Sequence, residues 1–269
     1  MKIKFFSLIL LFSFNLYAKE RIITLSPAIN EVVFALGKGN LIVANTDHAT
    51  YPAESKKVPK VGGYFGVSLE KLISYKPTLV LLQKNNTHLA QTLKRYQIKT
   101  VNFSISSLKS IKDMILTIGD KLNAQQKAKE IVKNIDTQLK HLKHKKRDKT
   151  LLFIFGASGD LKRPMYCAGK DLYFDELIDI AGYKNAVNFT KTQPVGLEKL
   201  LFINPDVIII ADSSIAEDKK EDILKQWYTL PLKASKNHHI FILNKIYQTM
   251  PSDRIALFIN DLAKVLRVD

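Results

Sequence analysis

The chain has 269 residues, of which 46% are hydrophobic and 25% charged, with a formal net charge of +16 and a single cysteine. That balance excludes a disordered or collagen-like chain, the lone Cys167 excludes a fold stapled by internal disulfides, and the length suffices for two modest hydrophobic cores. The lysines are dispersed rather than interleaved with aromatics in a stripe, so the charge reads as a solvated surface with some pull on anionic ligands, and no nucleic-acid partner is expected.

The chain opens with Lys2 and Lys4, an apolar run over residues 5–14, and the small residue Ala18 before a cut. This is the pattern of an export signal over residues 1–18, removed to leave a mature chain starting at Lys19 with a net charge lowered from +16 to +14. The run is shorter than the roughly 20 apolar residues of a membrane span, and no cysteine stands at the cut. A freely diffusing periplasmic monomer is expected rather than a lipid-anchored form.

Strand-like apolar runs occur at 22–25, 41–44, 79–82, 99–103, 151–155, 207–211 and 239–243, with helical patterns between most of them. After the first run, Ser26 supplies a capping hydroxyl, Pro27 a first helical position and Gly37 a stop. From residue 108 to about 146 the chain is mostly helical: Ala128, Ile131, Val132, Ile135, Leu139 and Leu142 recur at helical spacing, and Asn123 stands as a cap for that second helix.

One segment is written twice. Leu69-Glu70-Lys71-Leu72, followed by Pro77 and an apolar strand, recurs 128 positions later as Leu197-Glu198-Lys199-Leu200, followed by Pro205 and an apolar strand. Each copy reads as a short helix opened by Ser68 or Gly196, with an acid in its first turn, stopping at proline and feeding a buried strand. A repeat this long is not a solenoid. It predicts an α/β fold of two similar lobes, each with a mostly parallel sheet flanked by helices. The expected division is an N-terminal lobe over 19–106, a helical segment over 107–149 containing one long, rigid inter-lobe helix, and a C-terminal lobe over 150–269. Two lobes imply a cleft, and a helical link implies limited closure.

Other motifs carry less chemistry. Gly156-Ala157-Ser158-Gly159-Asp160 misses the spacing of a nucleophile elbow, and adjacent Asp47 and His48 are badly placed to serve Ser26 or Ser158 as a relay, so an exported hydrolase is a remote reading. His141 with His144, His238 with His239, and His48 with His88 are thin as metal sites without converging carboxylates.

The opening Arg21-Ile22-Ile23-Thr24-Leu25-Ser26-Pro27-Ala28 with Glu31, the phrase Val61-Gly62-Gly63-Tyr64, both Leu-Glu units with their Pro-strand continuations, and Ala181-Gly182 together resemble one family. It is that of periplasmic substrate-binding proteins serving ABC importers of cobalamin, haem and ferric siderophores, and the likeness covers residues 21–268. The resemblance implies a receptor rather than an enzyme, without an intrinsic cofactor, that carries haem or another iron chelate to an inner-membrane permease dimer. It implies that Glu70 and Glu198 dock onto permease arginines, although an acid in a first helical turn also complements the helix dipole by about 0.3 to 1 kcal/mol.

Cleft residues should come from loops at the carboxyl ends of strands. By the resemblance, Tyr64 is the axial ligand to ferric iron if the cargo is haem, and an aromatic stacking platform if it is cobalamin. Tyr51, Tyr166 and Tyr247 fall in other cleft loops, while Lys84, Lys162, Arg163 and Arg254 are candidate partners for haem propionates or a catecholate. The cobalamin pattern would place tryptophans where this chain has Gln83 and Thr192, and an Asp and an Arg where it has Ile246 and Met250. Haem is therefore expected first, a ferric siderophore next, and cobalamin as the alternative.

Overall fold

The computed structural model describes residues 20–63, 66–156 and 160–267. The export signal, Tyr64 and Ser158 lie outside the described residues. In the first lobe, β1 (Ile22–Thr24), α1 (Pro27–Ala35), β2 (Ile42–Asn45), α2 (Leu69–Ser74), β3 (Leu79–Gln83), α3 (Thr87–Arg95) and β4 (Lys99–Phe103) build a parallel sheet of order β2-β1-β3-β4. The link consists of α4 (Leu108–Lys121) and α5 (Gln125–Leu142).

The second lobe contains β5 (Thr150–Phe155), β6 (Met165–Ala168), α6 (Tyr173–Ile180), β7 (Lys184–Asn185), β8 (Thr192–Val195), α7 (Leu197–Ile203), β9 (Val207–Ala211), α8 (Lys220–Tyr228), α9 (Lys233–Lys236), β10 (Ile240–Leu243) and α10 (Ile255–Val265). Its parallel strands run β7-β5-β9-β10, which repeats β2-β1-β3-β4 of the first lobe. Antiparallel β6 and β8 extend the sheet beyond this repeat, with β6 taking the end of the β5 edge that β7 leaves open.

The written repeat is thus a structural one, down to its joints. Ser68 Oγ accepts the Lys71 N–H and caps α2, while Gly196 opens α7. Both helices end on a left-handed residue immediately before the proline, Lys76 at φ +44° and Asn204 at φ +46°. The strands begin alike too: Thr78 Oγ1 accepts the Arg21 N–H at 2.9 Å, and the Asp206 carboxylate accepts the Thr150 N–H at 2.8 Å.

Two caps differ from the sequence reading. Asn123 sits at φ +50°, past the end of α4, where an amide side chain tolerates the left-handed turn that stops a helix. It closes α4 and does not cap α5, whose N-cap is Ala124. Ser26 precedes α1 but makes no cap, because its hydroxyl accepts the Gln83 side-chain amide at 2.6 Å.

Among the described residues the apolar side chains form three clusters. One joins the lobes: Ile22 and Leu81 of the first sheet and Phe153 and Ile209 of the second belong to a single buried cluster with residues of α1, α4, α5, α6 and α10. The opposite sheet faces are covered separately, Ile23 and Val80 by Leu72 and Leu93, and Leu152 and Ile208 by Leu200 and Trp227. Central strands buried on both faces explain their unbroken apolar runs.

Candidate ligand-binding cleft

The carboxyl ends of β3, β4 and β5 open between the lobes. Gln83 ends β3, Phe103 ends β4 and Phe155 ends β5, the position at which parallel α/β sheets present ligand loops. A cavity of about 430 Å³ lies between Gln83, Lys84 and Phe103 of the first lobe and Tyr173, Phe174 and Thr192 of the second. It adjoins one of about 420 Å³ walled by Phe155, Tyr166, Phe174, Thr192 and Thr249.

The second-lobe wall is an aromatic array centred on Phe174. Its ring lies 4.8 Å from Phe155, 5.2 Å from Phe153 and 5.9 Å from Phe258, and stacks on Tyr173 at 4.1 Å. The Tyr173 hydroxyl is buried with no hydrogen-bond partner among the described residues, and burial pushes its pKa far up, so it stays neutral. Cys167, in the strand that carries Tyr166, is likewise inert, its thiol pushed up to about 12 by burial.

The predicted residues divide into two groups. Lys84 and Tyr166 line the cavities, and Tyr166 is 53% exposed. Tyr51 is half exposed, but its ring face carries the Arg254 guanidinium 3.7 Å from the centroid. Arg254 itself is buried and paired with Glu31, so its charge is already neutralised and it departs from the expected cleft cation. Tyr247 turns inward: its hydroxyl donates to the Asp261 carboxylate at 2.7 Å, and burial together with that carboxylate lifts its pKa to about 12. Arg163 is exposed and pairs with Asp160 at 3.3 Å. Glu70 and Glu198 are both exposed in the first turns of α2 and α7.

Gly62, two residues before Tyr64 in the sequence, stands at φ +118° and bridges to Val67. A β-carbon on Gly62 would stand 2.0 Å from the Gly66 carbonyl oxygen, so only glycine fits. Behind it Lys60 Nζ donates to Asn45 Oδ1 at 2.6 Å and to the Ala49 and Ser55 carbonyls at 3.1 Å each, tying the segment after β2 together. Burial lowers the Lys60 pKa against the attraction of Asp47.

Gln83 and Thr192, the two positions where the cobalamin pattern has tryptophans, line one cavity across 109 positions of sequence. Phe155 and Phe174 escape notice for another reason: inside an apolar strand and an apolar helix they look like ordinary core. Ser26 is fully buried with the Gln83 amide, not a histidine, on its hydroxyl, which gives a nucleophile reading no support. Among the described residues no group of three or more His, Cys, Asp or Glu side chains could hold a metal ion, and no helix is long and apolar enough to cross a membrane.

Comparison with known proteins agrees with this architecture. The chain is 28% identical over 263 residues to the ABC transporter substrate-binding lipoprotein YvrC of Bacillus subtilis, covering 93% of this chain and 81% of that protein. It is 26% identical to the vitamin B12-binding protein of Vibrio vulnificus over 96% of this chain and 94% of that one, and 28% identical to the haem uptake protein IsdE of Staphylococcus aureus over 75% and 71%. Among solved structures, the vitamin B12 binding protein BtuF of Vibrio cholerae superposes with a TM-score of 0.75 at 18% identity, over 93% of this chain and 97% of that one. The haem-binding protein BhuT does so with 0.74 at 22%, over 92% and 97%, and both likenesses speak to the fold alone. The sequence profile of one family matches residues 22–247, nearly the whole of both lobes, and by that match the chain belongs to the periplasmic binding proteins.

Proposed function

We propose that this protein is the substrate-binding component of an ABC importer, a periplasmic monomer released by cleavage near Ala18, whose cleft captures an iron-bearing chelate, with haem first and a ferric siderophore next. The observation that carries the ligand class is the cleft wall: Phe155 and exposed Tyr166, backed by the nearly buried Phe103 and Phe174, give an aromatic lining from both lobes that suits a planar macrocycle. Lys84 is the cation lining the larger cavity among the described residues, and it sits where an anionic edge group would be neutralised. Tyr64, two residues after Gly62 in the sequence, is the proposed axial ligand; a phenolate is a hard donor matched to ferric iron. The chelate is cargo rather than cofactor, and no catalytic step is proposed. Delivery would run through Glu70 and Glu198 to a permease dimer.

Cobalamin is the second reading, favoured by the uncharged polar groups of Gln83, Thr192 and Thr249 along the same walls, which suit peripheral amides. A spectrophotometric titration of the mature protein with haemin, a ferric catecholate and cyanocobalamin, repeated on Tyr64→Ala, decides between them. A saturable haemin spectrum of tyrosinate type that vanishes in the variant supports haem with Tyr64 as ligand. Saturation by either other compound alone moves the cargo, and binding of none removes the proposal.

A further inference from the structure

Helices α2 and α7 hold equivalent places in the two lobes, and their exposure follows the same order. Glu70 and Lys71 are exposed, Leu72 is buried and Ser74 is exposed; Glu198 and Lys199 are exposed, Leu200 is buried and Phe202 is exposed. At that last position the lobes part company. The first lobe has a serine whose hydroxyl donates back to the Lys71 carbonyl at 2.7 Å. The second has a phenylalanine left 90% exposed, where Tyr96, the next most exposed large hydrophobic of the described residues, is at 54%.

A single apolar side chain on a surface is ordinary. Phe202 is set apart by its register, because four residues along a helix place it on the same face as Glu198, one turn on. The same geometry puts Ser74 beside Glu70. A ring on one side therefore gives the second lobe an apolar contact that the first lobe lacks.

We propose that Phe202 is an apolar anchor for the permease, entering a hydrophobic pocket one helical turn from the cation that meets Glu198, a contact that the first lobe, with Ser74 beside Glu70, does not make. This rests on the docking reading of Glu70 and Glu198. Charges at an interface chiefly steer encounter and set its salt dependence, while a buried aromatic chiefly sets residence time. The two kinds of residue therefore leave different kinetic signatures.

The test measures association and dissociation of the mature receptor on proteoliposomes carrying the permease and ATPase of its native host, with protein-free liposomes alongside. Phe202→Ser, which copies the first lobe, should raise the dissociation rate about tenfold and leave the association rate and its salt dependence in place. Glu70→Gln and Glu198→Gln should slow association and flatten its salt dependence. Moving the ring by Ser74→Phe with Phe202→Ser should restore residence time, because a two-fold permease offers the same pocket to either lobe. Wild-type dissociation in Phe202→Ser together with slowed association in the Glu variants overturns the anchor and keeps the docking reading; unchanged kinetics in all of them overturn both. Loss of binding to protein-free liposomes on Phe202→Ser, or its conversion of a dimer to a monomer in light scattering, assigns the ring to lipid or to a second copy and overturns the anchor as well. Because the ring is exposed, the variant keeps its fold, which circular dichroism verifies.

Discussion

Arg254 in the second lobe holds Glu31 in the first: its Nε donates to Glu31 Oε2 at 2.9 Å and a second guanidinium N–H donates to Oε1. Both side chains are under a tenth exposed, Ser252 Oγ adds a hydrogen bond to Oε2 at 2.6 Å, and the Tyr51 ring covers the guanidinium. Removing one partner strands a buried charge, so Arg254→Met should cost about 3–5 kcal/mol. In a protein of this size that lowers Tm by about 10 °C. Glu31→Leu combined with Arg254→Met should recover most of the loss, because no charge is left behind. Thermal denaturation of the two variants checks this, and a single variant melting like the wild type would refute it.

Asp253 sits beside this pair with one carboxylate oxygen buried and unpartnered among the described residues. Burial, reinforced by the Glu31 carboxylate, raises its pKa to about 7, against about 3.9 in an unfolded chain. Between those values the folded state binds more protons than the unfolded state, so stability falls as pH rises from about 4 to about 7 and is flat above. The effect is at most roughly 4 kcal/mol. Asp253→Asn should therefore gain more over the wild type at pH 8 than at pH 5 in urea denaturation. Parallel pH profiles for the two proteins would contradict the assignment.

The parts of the fold that could be read from the sequence are those whose side chains answer to one local rule. All seven expected strands form: the central ones are apolar because both their faces are buried, while β4 at the sheet edge exposes Lys99 and Asn102, and the doubled Leu-Glu-Lys-Leu unit maps onto equivalent helices. The sequence offers little sign of β6, β7 and β8: β7 is two residues long, and antiparallel β6 and β8 are four each, with Tyr166 in β6 and Pro194 in β8 exposed. The cleft was legible as a place and less so as a set of residues. Arg254 carries the look of a ligand cation, and only its meeting with Glu31, 223 positions away, reassigns it.

The end of α2 carries a correctable strain. Lys76 occupies a left-handed conformation that a residue with a β-carbon adopts at a cost, whereas its counterpart Asn204 suits the same turn and also accepts the Lys233 N–H at 2.8 Å. Lys76→Gly should stabilise by about 0.5–1 kcal/mol, since the exposed lysine head contributes nothing there. Asn204→Ala should lose about 1–2 kcal/mol by forfeiting both conformation and hydrogen bond. Urea midpoints at unchanged m-value report both, and a loss on Lys76→Gly would show the strain to be absent.

Lys84 separates the two candidate cargoes. A cation on the cavity wall attracts carboxylates of haemin and has no counterpart among the amides of a corrin. Lys84→Ala should weaken haemin about five- to tenfold, the worth of one solvent-screened charge-assisted contact. Cyanocobalamin affinity should stay within twofold. Equal losses for both ligands would mean that Lys84 shapes the cavity rather than pairing with an anionic group.

Gly62 offers a way to move Tyr64 without touching it. At φ +118° an L-residue is strained whatever the space, and here an added methyl also meets the Gly66 carbonyl oxygen at 2.0 Å. Gly62→Ala must therefore disturb the bridge between Gly62 and Val67, the pair that flanks Tyr64 in the sequence. Of the flanking residues only Val61 and Val67 take part in an apolar cluster, so the cost to global stability should stay near 1–3 kcal/mol. Haemin binding, in contrast, should fall as far as it does in Tyr64→Ala, because axial ligation tolerates little misplacement. Combining the two changes should then add almost nothing further, since both remove the same ligand. Full haemin affinity in a folded Gly62→Ala protein would show that the cargo does not depend on the geometry of this turn, and would take Tyr64 out of the site.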